Sequence, residues 1–246
     1  MFKKSIVFLL VFSAFVGSIG AQVRPGLKMG YNLSGVIAED NIGRNKDQSG
    51  NPDNFNLKSG FQLGLVADCP LGDSWAIQPG VRFAMIGFND KYKANLEELR
   101  KFNLFYLQIP VYAQYKLNIA EETNLLFQAG PYAGFGLFGR QVRYRNGSSQ
   151  ELSDNDKKIN FGNNPSDRQN ASDDLVRLDY GVGAGVGIEF FRFQFLFNYD
   201  VGLNDMLFAK RPQNAHYNVN MRNQCFSVTL AVIFGRRDPL QRMRDF

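Results

Sequence analysis

Four glycines, Gly181, Gly183, Gly185 and Gly187, stand in seven positions of the stretch LDYGVGAGVGIEF. Glycines at that density can cradle a phosphate ahead of a helix, so they are the first candidates for chemistry. Their spacing argues otherwise. It runs G-x-G-x-G-x-G rather than G-x-G-x-x-G, and no Lys-Ser or Lys-Thr pair follows. The even positions from Leu178 to Phe190 are all apolar or aromatic, and the odd ones are glycine, Asp179 or Glu189. Period two over this stretch means a β-strand with one greasy face and one narrow polar face.

The other candidates are sparse. His216, the single histidine, lies in a polar stretch, with Asp205 and Ser227 as the partners a lipid-modifying barrel enzyme would need. A lone loop histidine is ordinarily a polar loop residue, so no catalytic site is expected. In NKDQSG, Asn45, Asp47, Ser49 and Gly50 fit half a calcium loop, but the twelfth position is Asn56 instead of Glu. No His/Cys cluster has transition-metal spacing. The expectation is no metal and no cofactor. Cys69 and Cys225 fall near opposite ends of the strand arrangement below, which predicts two free thiols.

What must position any site is a set of strands. Residues 1–21 read as a secretory signal peptide, with the basic start MFKK, the apolar core SIVFLLVFSAFVG and the small-residue region SIGAQ. Losing Lys3 and Lys4 takes the formal charge from +5 to +3. No later apolar run is long enough for a membrane-spanning helix. The remainder divides into a barrel over 22–235 and a basic periplasmic tail over 236–246.

Within 22–235 the parity test succeeds eight times. Strand by strand, the apolar face is carried by Leu27 to Leu33, Phe61 to Ala67, Trp75 to Met85, Phe105 to Leu117, Leu125 to Leu137, Leu178 to Phe190, Phe193 to Leu203 and Phe226 to Phe234. Pro79, Pro110 and Pro131 fall mid-strand, where bulges are expected. Short connections alternate with long polar ones at about 36–56, 88–102, 141–174 and 205–221. All long loops then emerge at one end. The fold class is all-β, an eight-stranded antiparallel up-and-down barrel.

Which face points outward separates a lipocalin-like carrier from a transmembrane barrel. The apolar faces are long, the loop asymmetry is that of outer-membrane barrels, and Phe193, Phe195 and Phe197 facing water would be an aggregation hazard. The reading is a transmembrane barrel in the bacterial outer membrane, with lipid as its first partner and no nucleic acid among its partners. Its lumen then holds the cations Lys28, Arg82, Lys116 and Arg192 and the anions Asp68, Asp179, Glu189 and Asp200, expected to pair. Glycines make room for Tyr106, Tyr112 and Tyr132, so the lumen is plugged. At the long-loop end Arg140, Arg143, Arg145, Arg177, Arg211 and Arg222 can form a collar for lipid phosphates. Solvated loop charge is the alternative.

The segments LFYLQIPVYAQYKL, QAGPYAGFGLFG, LDYGVGAGVGIEF and NYDVGLNDM, in this order, resemble the PorT family of small outer-membrane β-barrels from Bacteroidota. Tyr106 to Pro110 resembles the family's Y-L-x-I-P strand, and Gly130, Pro131 and Tyr132 its G-P-Y. The resemblance covers roughly residues 22 to 235 and implies a non-enzymatic accessory of protein secretion (type IX) or of envelope assembly acting through loops or tail, with other secretion-machinery or envelope proteins as partners. The tail GRRDPLQRMRDF has no counterpart in that pattern. A surface-binding, adhesin-like barrel without a secretion role is the alternative.

The mature chain is expected to partition into detergent and to precipitate on its removal. A chain that stayed in free solution, enclosing its aromatics around a cavity, would reverse the orientation.

Overall fold

The computed structural model describes residues 23–40, 55–92, 98–145, 157–159, 161–162, 175–206 and 219–235. The segment read as a signal peptide, the C-terminal segment 236–246, His216, the segment Asn45 to Gly50 and Arg211 lie outside these residues. Eight long strands form the wall: β1 (Arg24–Asp40), β2 (Phe55–Pro70), β3 (Trp75–Tyr92), β4 (Glu98–Ala120), β5 (Thr123–Arg145), β9 (Leu178–Phe190), β10 (Phe193–Gly202) and β11 (Val219–Ile233). Three short strands, β6 (Lys157–Ile159), β7 (Phe161–Gly162) and β8 (Leu175–Val176), lie between β5 and β9.

Every wall strand pairs antiparallel with its neighbours, and β1 closes on β11 through a ladder from Gly26↔Ile233 to Asp40↔Val219. No wall strand is left with a free edge. That is the condition for crossing hydrocarbon with strands, because lipid cannot satisfy a backbone N–H or C=O.

Side-chain direction follows the alternation. Inward residues such as Asp68, Gln78, Gln114 and Gln194 are fully buried, while outward Leu65 and Phe197 are 66% and 62% exposed. The apolar face therefore points away from the axis. Several outward aromatics are in ring contact across neighbouring strands. Near the short turns, Trp75 and Tyr115 lie 5.1 Å apart. Toward the loop end, Phe61, Phe83, Phe105 and Phe138 form an arc across β2 to β5, with ring spacings of 6.5, 5.6 and 4.6 Å. Tyr115 and Phe105 are about ten residues apart on one tilted strand, a height of roughly 25 Å, which suits the apolar band of an outer-membrane barrel.

Two expectations are corrected. The strands run well into the segments read as long loops, leaving only 93–97 between β3 and β4. Polar residues hid this, because paired ribbons continue past the membrane without an apolar face. Nor do the prolines make bulges. Pro79, Pro110 and Pro131 each lose pairing on one side only, toward β2, β3 and β4 respectively, and the ladder resumes in unchanged register. A missing donor removes a bond without adding a residue. The register shifts fall between Leu57 and Gln62 of β2, and between Phe105 and Tyr106 and between Asn118 and Ala120 of β4. Beside the first, Asn32 Nδ2 donates to Phe61 O at 3.2 Å, and Ser34 Oγ accepts from Gly87 N at 2.8 Å, replacing part of the lost ladder. Cys69 and Cys225 are free.

The glycine strip of β9 is the wall's inner clearance. A Cβ on Gly183 would run into Asp200 Oδ1 and Tyr112 Oη, one on Gly185 into Asn198 Oδ1, and one on Gly181 into the Tyr132 ring. Gly183→Val is expected to lower stability by about 2–3 kcal/mol through overpacking, whereas the outward Ala184→Val leaves it unchanged. Heat-modifiable gel mobility of the refolded variants reads the difference.

Candidate functional site

The inward positions are stacked in three layers. Nearest the short turns, β1 and β2 bring Arg24 to Asp68, and β4 places Lys116 Nζ 3.1 Å from Asp68 Oδ2 and 2.9 Å from Glu189 Oε2. Glu189 also accepts from Asn124 at 3.1 Å and from Gln194 at 2.6 Å, and Gln194 accepts from Gln78 at 3.1 Å. The network thus ties seven of the eight wall strands together across the lumen.

The middle layer turns on Asp200 of β10. Its Oδ2 lies 2.6 Å from Arg82 Nη2 and its Oδ1 accepts from Tyr112 at 2.7 Å, while Arg82 Nε donates to Gln108 at 2.8 Å. Lys28 lies over the Tyr112 ring, 6.0 Å from its centre. Asp179 accepts from Tyr132 at 3.3 Å. Gln114, Gln128, Asn198 and Thr229 form a connected chain beside these groups.

The third layer, at the loop end, is apolar. Val36, Ile86, Phe88, Leu104, Tyr106 and Met221 of the wall meet Ile159, Phe161, Leu175 and Met206 of the connecting segments. Phe161 lies edge-on to Tyr106 at 5.6 Å and occupies the space a Cβ on Gly136 would take. Backbone bonds hold this plug: Gly136 N to Arg177 O at 2.7 Å, Arg177 N to Gly162 O at 2.9 Å, and Val176 N to Met206 O at 2.9 Å.

Seven of the eight lumen charges read from the sequence point inward and are buried: Lys28, Arg82, Lys116, Asp68, Asp179, Glu189 and Asp200. Arg192 is the correction. It is exposed in the turn between β9 and β10, where Phe191 has φ 53°, so its parity is inward but its side chain lies beyond the barrel's end. Arg24 takes its place, buried on Asp68. Extending the β1 alternation backward from Lys28 through Gly26 would have found it.

The collar residues separate. Arg140 is exposed on β5, paired in register with Asn103 and with Lys158, which is also exposed. Arg143 and Arg145 continue the same strand. Arg222 is half-buried on β11. Arg177 is engaged in the plug, its Nη2 donating to Phe161 O at 2.8 Å, which corrects its placement in the collar.

Of the partners read for His216, Asp205 and Ser227 are described. Asp205 Oδ1 accepts from Met221 N at 3.0 Å, whereas Ser227 faces the lumen about 20 Å farther along β11. Among the described residues no cluster of His, Cys, Asp or Glu could hold a metal.

The family model described as outer membrane protein beta-barrel domain matches residues 20–207. No curated protein matches the chain. Among solved structures the chain is similar to Ail, the attachment invasion locus protein of Yersinia pestis, at 12% identity over 86% of this chain and 99% of that one, with a TM-score of 0.38. It is similar to OprG from Pseudomonas aeruginosa at 12% identity, over 88% and 98%, with a TM-score of 0.44. Neisserial surface protein A gives 12%, 85% and 97%, and 0.37.

Lys116→Met removes the ammonium that bridges Asp68 and Glu189, and is expected to cost about 3–5 kcal/mol in urea unfolding from detergent. Adding Glu189→Gln should recover part of that loss. In planar bilayers the intact barrel is expected to show no steady ohmic conductance, and open-channel steps would contradict a filled lumen.

Proposed function

The chain belongs to the outer membrane protein beta-barrel domain family and lies in the bacterial outer membrane, and from that premise we propose a plugged, non-enzymatic barrel that works through its rims, as an accessory of protein secretion or envelope assembly. The observation that carries this reading is the filled lumen: two polar layers and an apolar plug leave the loops, the tail and the outer wall as the surfaces for a partner. The PorT-like strand motifs are what point to secretion, and type IX export is the specific form of the proposal.

Lipid is the partner the wall itself requires. Just beyond the Phe105–Phe138 stack, exposed Arg140 and Lys158 share one edge of the rim. This placement supports an interfacial collar for the phosphates of an outer-leaflet glycolipid, continued by Arg143, Arg145, Arg211 and Arg222.

Deleting the gene is expected to abolish release of extracellular proteases while leaving the outer membrane intact. Unchanged export would move the assignment to a surface-binding barrel. Reversing the charge of Arg140, Arg143 and Arg145 together is expected to reduce glycolipid co-purification severalfold, and an unchanged yield would remove the collar.

A further inference from the structure

A small cavity lies at the wall beside the middle layer, bounded by β1, β2, β3 and β4 and by Leu65, Val66, Val81 and Pro110. Gly64 and Gly80 project no side chain into it, and its volume of about 10 Å³ has room for one water-sized occupant. Lys28, Gln62, Gln78, Arg82 and Tyr112 line it.

The lining is unbalanced. Arg82 is committed to Asp200 and Gln108. Lys28, buried to 8% exposure, has no carboxylate at ion-pair distance among the described residues; its ammonium has the Tyr112 ring 6.0 Å away and, at longer range, the attraction of the Asp200 already paired with Arg82. Asp179, which balances the lumen's formal charge, is held instead by Tyr132. Two cations therefore face the cavity with one carboxylate between them. Independently, Gln62 is 4% exposed, and its Nε2 is buried without an acceptor. Gln78 Oε1 lacks a donor, but one amide oxygen balances neither a whole charge nor the three ammonium protons of Lys28.

We propose that this cavity is a binding site for a single monatomic anion of the halide class, held by Lys28 Nζ and Gln62 Nε2 in the field of Arg82. An unpaired buried ammonium is costly, and an anion in contact with it restores both charge and hydrogen bonding. The size excludes sulfate, phosphate and carboxylates. The occupant is structural, and it fastens β1 and β2 to β3 beside the gap that Pro79 leaves in the β2–β3 ladder.

Crystals of the full mature chain in detergent, grown in sodium bromide, give a direct test. An anomalous peak within about 3.5 Å of Lys28 Nζ is expected. In solution, chloride or bromide should raise the thermal midpoint above that in gluconate at equal ionic strength. Lys28→Met should abolish both the peak and the halide response, and Gln62→Met should weaken both. Peaks confined to the loops, or a cavity refined as water in saturating bromide, would overturn the assignment. The wild-type crystal decides even where Lys28→Met does not fold.

Discussion

A strand that crosses hydrocarbon must hand every backbone N–H and C=O to another strand, and the rest of this molecule follows from that demand. An open sheet would present an edge to lipid, so the wall curls until β1 meets β11. Closure at eight strands sets the width, and an eight-stranded cylinder is only just wide enough for its own side chains. The outward face is set by the lipid, which accepts Leu65 and Phe197 with no need for partners. Nothing so permissive exists on the inward face.

Inside, most polar groups find a protein partner at close range, because an unpaired one is costly there. Carboxylates and cations are therefore interleaved: Arg24, Asp68, Lys116 and Glu189 in one layer, Arg82 and Asp200 in the next. Breaking such pairs is destabilising, while their net contribution is small, so they act chiefly to specify packing across the lumen. The β9 glycines belong to the same arrangement. They are absences of volume opposite Asp200, Asn198 and Tyr132, which need the space. Toward the loops the inward face changes character. Ile86, Phe88 and Leu104 turn the upper barrel into a small dry core, closed by Phe161 and Leu175. With the described lumen filled in this way, the proposed function rests on the rims.

The alternation in LDYGVGAGVGIEF was enough to place a strand, and eight such patterns with unequal loops were enough to place a transmembrane barrel. The inward charges were also legible, since parity along a paired strand is rigid. Failures came where parity stopped being the governing rule. Arg192 obeys the pattern but sits on a turn, past the last ladder rung. Arg177 was grouped with surface arginines, yet its guanidinium serves a carbonyl of the plug. The prolines were read as interruptions of register, although they interrupt only hydrogen bonds. Of the plug itself the sequence held one faint sign, Ile86 and Phe88 on the inward parity above Ala84.

By itself, then, the chain's order of residues determined the eight wall strands and the chemistry of each face, though not the three short strands between β5 and β9, because the wall depends on period-two geometry and on whether a side chain tolerates lipid. Only the tertiary structure decided which inward charges meet, which glycine faces which side chain, and that segments distant in sequence close the outer end. Those outcomes depend on the stagger between neighbouring strands. Stagger is set by closure of the whole cylinder, and no single strand carries it.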